Sequence, residues 1–149
     1  MTQAMLENFK DARRNMAKAY AEIAAGEFTF EHFPCTTVEK AYYSLFHACN
    51  SALALLGLYP KSHEGVHNLI SKEYVKDGLL PKEIPSVLSN LEQRRIKATY
   101  DHYLYTSEDA RCHLDLAINA VSQVHDYLLG LYPDVFKFET LNKPYEAND

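Results

Sequence analysis

The chain has 149 residues, 47 % of them apolar and 23 % charged, with a formal net charge of −5. That length suits a single domain with its own core, and the acidic balance excludes a general basic coat for nucleic acid while leaving room for a small basic site. No run of 18 apolar residues occurs, which excludes a helical membrane span, and the amphipathic start from Met1 to Lys18 has no apolar signal-peptide core.

Three cysteines, Cys35, Cys49 and Cys112, form no C-x-x-C pair, and their odd number argues against a disulfide framework. A reducing cytoplasm is the compartment this predicts.

In chain order, Leu6, Phe9, Ala12, Met16, Ala19, Tyr20 and Ile23 recur in steps of three and four, predicting a helix from Thr2 to Ala25 that Gly26 stops. Glu27 to Pro34 alternates aromatic and polar residues and reads as a connecting loop that tucks its aromatics in. Thr36-Thr37-Val38-Glu39 has capping-box spacing and opens a helix to Leu56 that is apolar nearly all round. Such a helix is central, or is covered on its second face by a partner. Gly57 ends it.

Ser62 is an N-cap candidate for a helix to about Lys76, with Val66, Leu69, Ile70, Tyr74 and Val75 on its buried side. Asp77-Gly78 is a turn. Pro81 suits the start of the next helix, and Pro85 should delay or distort that start. Its apolar stripe is Ile84, Val87, Leu88, Leu91 and Ala98. Thr106 caps a last long helix carrying Ala110, Leu114, Ala117, Val121, Val124, Leu128 and Leu131, closed by Gly130 and Pro133. The segment from Tyr132, with Val135, Phe136, Phe138 and Leu141, can pack locally. The result is an all-α, four- to five-helix up-and-down bundle over residues 1–141, with a frayed tail over 142–149.

The densest basic cluster is Gln93-Arg94-Arg95-Ile96-Lys97. At about 100° per residue, Arg95 lies roughly 40° from the middle of the apolar stripe and Arg94 roughly 60° to its other side. Arg95 is thus the inward cation, and since it cannot lose its charge it needs an acceptor: a structural carboxylate, a phosphate, or a group from a partner chain. If the helix persists, His102 follows on nearly the same face, ~10 Å further along. Two readings stay open here. In one, Arg95 pairs with a structural acid and His102 caps the surface. In the other, Arg95 holds an RNA phosphate while His102 exchanges a proton.

Four blocks together resemble the HEPN superfamily of small α-helical proteins, over about Val38 to Leu128. They are Ala41-Tyr42-Tyr43-Ser44-Leu45-Phe46-His47-Ala48, Gly57-Leu58-Tyr59-Pro60-Lys61-Ser62-His63-Glu64-Gly65-Val66, Gly78-Leu79-Leu80-Pro81-Lys82-Glu83, and Arg95-Ile96-Lys97-Ala98-Thr99-Tyr100-Asp101. The chain is most similar to the small stand-alone prokaryotic branch, often encoded beside a minimal nucleotidyltransferase.

The resemblance implies a dimerising bundle and, in active members, a metal-independent ribonuclease whose signature is an arginine, four to six residues, then a histidine. Arg95 and His102, with six residues between, fit that window. It implies that the pairs from two subunits meet in a cleft at the dimer interface, with Arg94, Lys97 and Tyr103 as flanking RNA contacts. It further implies a toxin controlled by a nucleotidyltransferase antitoxin, or alternatively a non-catalytic module that binds a nucleotidyltransferase or a nucleotide. In toxins of this kind that the antitoxin modifies, a tyrosine stands two residues after the histidine. Here that position is Leu104, between Tyr103 and Tyr105.

His63-Glu64-Gly65-Val66-His67 also fits the H-E-x-x-H pattern of zinc metalloproteases. It falls in a first helical turn, contains a glycine, and lacks the Gly-x-x-His extension. The expectation is a polar helix start with His63 near the cap, and no metal or other cofactor. His47 is expected to make a satisfied core or interface hydrogen bond. Tyr42 and Tyr43 read as core residues that could stack on a base, and Cys49 as a small buried apolar residue.

Overall fold

A computed structural model describes residues 1–138, and all regular structure among them is helical. Helix α1 spans Gln3–Thr29, α2 Pro34–Ala54, α3 His63–Ile70, α4 Glu83–Tyr100, α5 Ser107–Leu131 and α6 Pro133–Phe136, with a π-helical turn over Ser71–Val75 following α3. The all-α bundle is therefore what the chain forms, with short α6 added to the four or five helices expected. Leu141 and the segment 142–149 lie outside the described residues.

Helix α2 is central because its sequence gives it almost no polar face. Twelve of its 21 residues are buried, and α1, α3, α4 and α5 all pack on it. Its short connection to α1 makes the two antiparallel neighbours. Their axes come close enough for Ser51 Oγ to donate to the Ala12 carbonyl at 2.6 Å. The π turn carries Tyr74 inward, where its hydroxyl donates to the Ala52 carbonyl of α2.

Gly26 does not stop α1. The helix continues to Thr29 with Gly26 buried inside it, and a Cβ at that position would lie 2.9 Å from Leu114 Cδ1 of α5. The missing side chain makes room for the neighbouring helix rather than breaking its own. The alternating aromatics that follow are not tucked in: Phe28 and Phe33 are 87 % and 64 % exposed. Residues 27–29 are still helical, so a period of two throws successive side chains to different sides.

The capping box at Thr36–Glu39 is not formed either. Helix α2 already begins at Pro34, where the missing N–H would have had no helical partner anyway. Thr37 is buried, with its hydroxyl against Thr29 Oγ1 at 2.8 Å and donating to the Gly26 carbonyl at 3.3 Å. Glu39 instead accepts from Thr99 of α4 at 3.2 Å.

Other local signals hold. Ser62 and Thr106 cap α3 and α5 through bonds from Gly65 N and Asp109 N. Gly57 and Gly78 take the left-handed φ values of +71° and +74° that their turns require. Pro85, by contrast, does not delay α4 as expected: the helix already begins at Glu83, and in its first turn the N–H that proline lacks would have had no helical acceptor. The stripe on α5 is fully buried from Ala110 to Leu128, but Leu131, expected to extend it, is 49 % exposed at the helix end.

Replacing Gly26 with valine should lower the unfolding free energy by about 1–3 kcal/mol through overpacking against Leu114. Gly130→Ala, where an added Cβ meets nothing within 4 Å, should raise it by about 0.5 kcal/mol. Urea midpoints falling on opposite sides of the wild type would bear this out.

Candidate functional site

The two adjacent arginines leave α4 on different sides, as their angular separation requires. Arg94 faces α5, where its charge acts on Tyr105 and His113. Burial is the larger reason, and Arg94 the second, that His113 is held below its ordinary pKa. Arg95 faces α2. Its ζ carbon sits 5.1 Å from the Tyr42 ring centroid and 5.7 Å from that of Tyr43.

Arg95 has no carboxylate partner among the described residues, and its Nε is buried without an acceptor. Glu92 stands one turn earlier and acts on the Tyr42 phenol, but forms no ion pair with Arg95. The reading in which a structural acid neutralises Arg95 is therefore not realised. Two aromatic faces compensate the cation instead.

Those rings are themselves fixed. Tyr42 is 1 % exposed, and burial first, then Glu92, hold its phenol far above the ordinary value, so it stays neutral and keeps its proton. The phenol is hydrogen-bonded to His63 Nδ1 at the start of α3. The His63 ring also packs on Phe46 at 4.8 Å. The first histidine of the H-E-x-x-H pattern is thus turned into the bundle and engaged by a tyrosine. No cluster of three or more ligating side chains with metal-site geometry occurs among the described residues.

His102 does not continue the face of Arg95. Helix α4 ends at Tyr100, and His102 is exposed with φ +53°, a left-handed residue just past the helix. Histidine is one of the few non-glycine residues that tolerates this region. No hydrogen bond, ion pair or ring contact joins His102 to Arg95 within the chain. The expected continuation of the helix fails because Tyr105 must turn back inward.

Tyr105 is 6 % exposed and packs with Val38 and Ala110. Its hydroxyl donates to the Arg94 carbonyl at 3.2 Å. Cys35, at the start of α2, clamps the same loop: its Sγ donates to the Tyr103 carbonyl at 3.3 Å and accepts from Tyr105 N at 3.5 Å. Tyr103 remains 43 % exposed, with Lys97 Nζ 4.6 Å from its ring centroid. Leu104 is 84 % exposed. Lys97, His102 and Tyr103 thus lie at the end of α4, while Arg94 faces Tyr105 and His113 and Arg95 rests against α2.

The sequence reading missed three residues that matter to this geometry. Cys35 holds the loop, His63 holds Tyr42, and buried His125 bridges Tyr20 and the Phe136 carbonyl. Each acts across a long stretch of chain, so no local spacing marks it. His47, expected to be hydrogen-bonded, has no such bond among the described residues; its ring stacks on Tyr43 and meets Phe46 edge-on.

Among known proteins, the family model described as HEPN domain matches residues 6–127. A Methanocaldococcus jannaschii protein named "Putative toxin MJ0605" is 30 % identical over 107 residues, covering 68 % of this chain and 79 % of that one. "Putative toxin MJ0142" of the same organism is 27 % identical over 93 residues, covering 62 % and 63 %. "UPF0332 protein PH1297" of Pyrococcus horikoshii is 25 % identical over 84 residues, so the chain spans 55 % of that relative's length.

Two outcomes follow from the site's backbone and charges. Since φ at His102 suits glycine, His102→Gly should leave stability unchanged or raise it by up to about 1 kcal/mol in urea unfolding. His47 has its pKa lowered from 6.5 to about 4, by burial first and then by Lys18 and Lys40. The unfolded chain binds that proton near 6.5 and the native chain only near 4. His47 therefore favours the native state fully above the upper value, and this contribution fades as pH falls through the window. Urea titrations across that range should show His47→Gln losing less stability on acidification than the wild type.

Proposed function

The chain belongs to the HEPN domain family, and on that footing we propose that it is a metal-independent endoribonuclease, the toxin of a pair with a nucleotidyltransferase antitoxin. One observation carries the reading: Arg95 is an inward cation resting on two tyrosine faces, with no carboxylate to neutralise it among the described residues. A guanidinium so placed keeps N–H donors for an external anion, and a phosphodiester is the anion whose geometry it matches.

In the proposed reaction His102 takes the proton of a ribose 2′-OH, whose oxygen attacks the adjacent phosphorus. Arg95 stabilises the charge building on the phosphate oxygens. The bond to the 5′-oxygen breaks, that oxygen takes up a proton, and a 2′,3′-cyclic phosphate remains. DNA, without the 2′-OH, is not a substrate. Lys97 and Arg94 contribute charge along the RNA backbone, and Tyr103 offers an exposed ring for stacking.

A homodimer supplies what one chain lacks, because no hydrogen bond, ion pair or ring contact joins Arg95 to His102 within a protomer. Ile96, Tyr100 and Leu104, with exposures of 39 %, 67 % and 84 %, support an interface around the end of α4. Exposed apolar residues there are costly in a monomer and useful against a second copy.

The separation of His102 from Arg95 also favours a second reading, a non-catalytic module that binds a nucleotidyltransferase or a nucleotide. The two readings part on one assay. EDTA-treated protein incubated with labelled RNA should yield 2′,3′-cyclic phosphate ends. Arg95→Ala and His102→Asn should each lower the rate by about 100-fold or more; asparagine tolerates the left-handed φ, so the imidazole alone is tested. Equal rates in all three proteins would leave the binding module as the better account.

A further inference from the structure

The buried aromatic group on α2 has an arrangement that packing alone does not require. Tyr42 carries two loads at once: its ring face supports the Arg95 guanidinium, and its hydroxyl is bonded to His63 Nδ1. Whichever of the two groups donates, the bond ties the Tyr42 hydroxyl to His63 Nδ1 and leaves Nε2 outside it. Phe46 backs the His63 ring, and the Ser62 cap fixes the turn from which His63 projects. Among the described residues Arg95 itself has no hydrogen bond or ion pair that would set its position. Its location is decided by where the Tyr42 and Tyr43 rings stand.

We infer that Tyr42 and His63 are positioning residues for Arg95: the His63–Tyr42 hydrogen bond holds the ring that seats the guanidinium, so that its outer N–H groups stay directed at an incoming phosphate. The chain of contact runs from the start of α3, through α2, to α4. It gives the first histidine of His63-Glu64-Gly65-Val66-His67 a task, since its Nδ1 is committed to the tyrosine. The inference deepens the reading of Arg95 as the phosphate-binding group, and rests on that reading only for its RNA readout.

The test separates the two. In ¹⁵N-labelled protein the Arg95 Nε–H signal, identified by its loss in Arg95→Lys, should be shifted upfield by the tyrosine rings and slow to exchange with solvent. Tyr42→Phe keeps the ring and loses the hydroxyl; His63→Leu keeps bulk and loses the hydrogen-bond partner. Both should move the signal toward that of exposed arginines and speed its exchange by about tenfold or more. His63→Gln, whose amide can donate or accept, should return it. Tyr74→Phe, which removes another buried hydroxyl bonded elsewhere on α2, should leave it in place.

On RNA, the same two variants should lower kcat/KM by roughly 10- to 100-fold, with rescue in His63→Gln. An Arg95 signal unchanged in both Tyr42→Phe and His63→Leu, or moved equally by Tyr74→Phe, overturns the positioning role. If the wild type cuts no RNA while the signal responds as expected, the positioning role stands and the ribonuclease reading falls.

Discussion

A helix with almost no polar face has to be wrapped, and the burial of α2 governs the rest of this molecule. Its apolar circumference draws α1, α3, α4 and α5 onto it. Fully burying each large apolar side chain is worth about 1.5–3 kcal/mol, so these contacts outweigh the local preferences of the surrounding segments. Gly26, which in isolation would end a helix, is kept helical because α5 needs the space above it. Thr37, which in isolation would cap one, is buried between helices and bonds to α1 instead.

The same wrapping explains how a half-buried cation comes to rest against the central helix. An arginine on the α2-facing side of α4 meets rings, because α2 presents Tyr42 and Tyr43 there. Aromatic faces offer attraction without a formal negative charge. A carboxylate at the same place would neutralise the guanidinium and occupy its donors. The polar support arrives one layer further out, from α3, through a tyrosine hydroxyl rather than through the arginine.

Much of the architecture was legible in the chain, and the failures have a common origin. Periodicity gave the helix on which each buried leucine and alanine would lie, and Ser62 and Thr106 announced their helix starts through chemistry confined to three residues. It also separated Arg95 from Arg94, since angular position on a helix is itself local. What could not be read was whatever tertiary packing decides: the run of α1 past Gly26, the outward Phe28 and Phe33, and the turn that carries His102 off the helix. The contact of His63 with Tyr42 spans 21 residues and that of Cys35 with the Tyr103 carbonyl spans 68. No spacing rule reaches so far.

The junction beyond the matched family segment has a consequence for where this domain ends. The family match stops at residue 127, yet His125 donates from Nε2 to the Phe136 carbonyl at 2.8 Å while Nδ1 accepts from Tyr20. Phe136 is itself fully buried. A boundary drawn at the family limit would cut between a buried imidazole and its acceptor, leaving an N–H in the core with nowhere to donate. The short helix α6 is thus a structural member of the bundle rather than an appendage, although it lies beyond the family match.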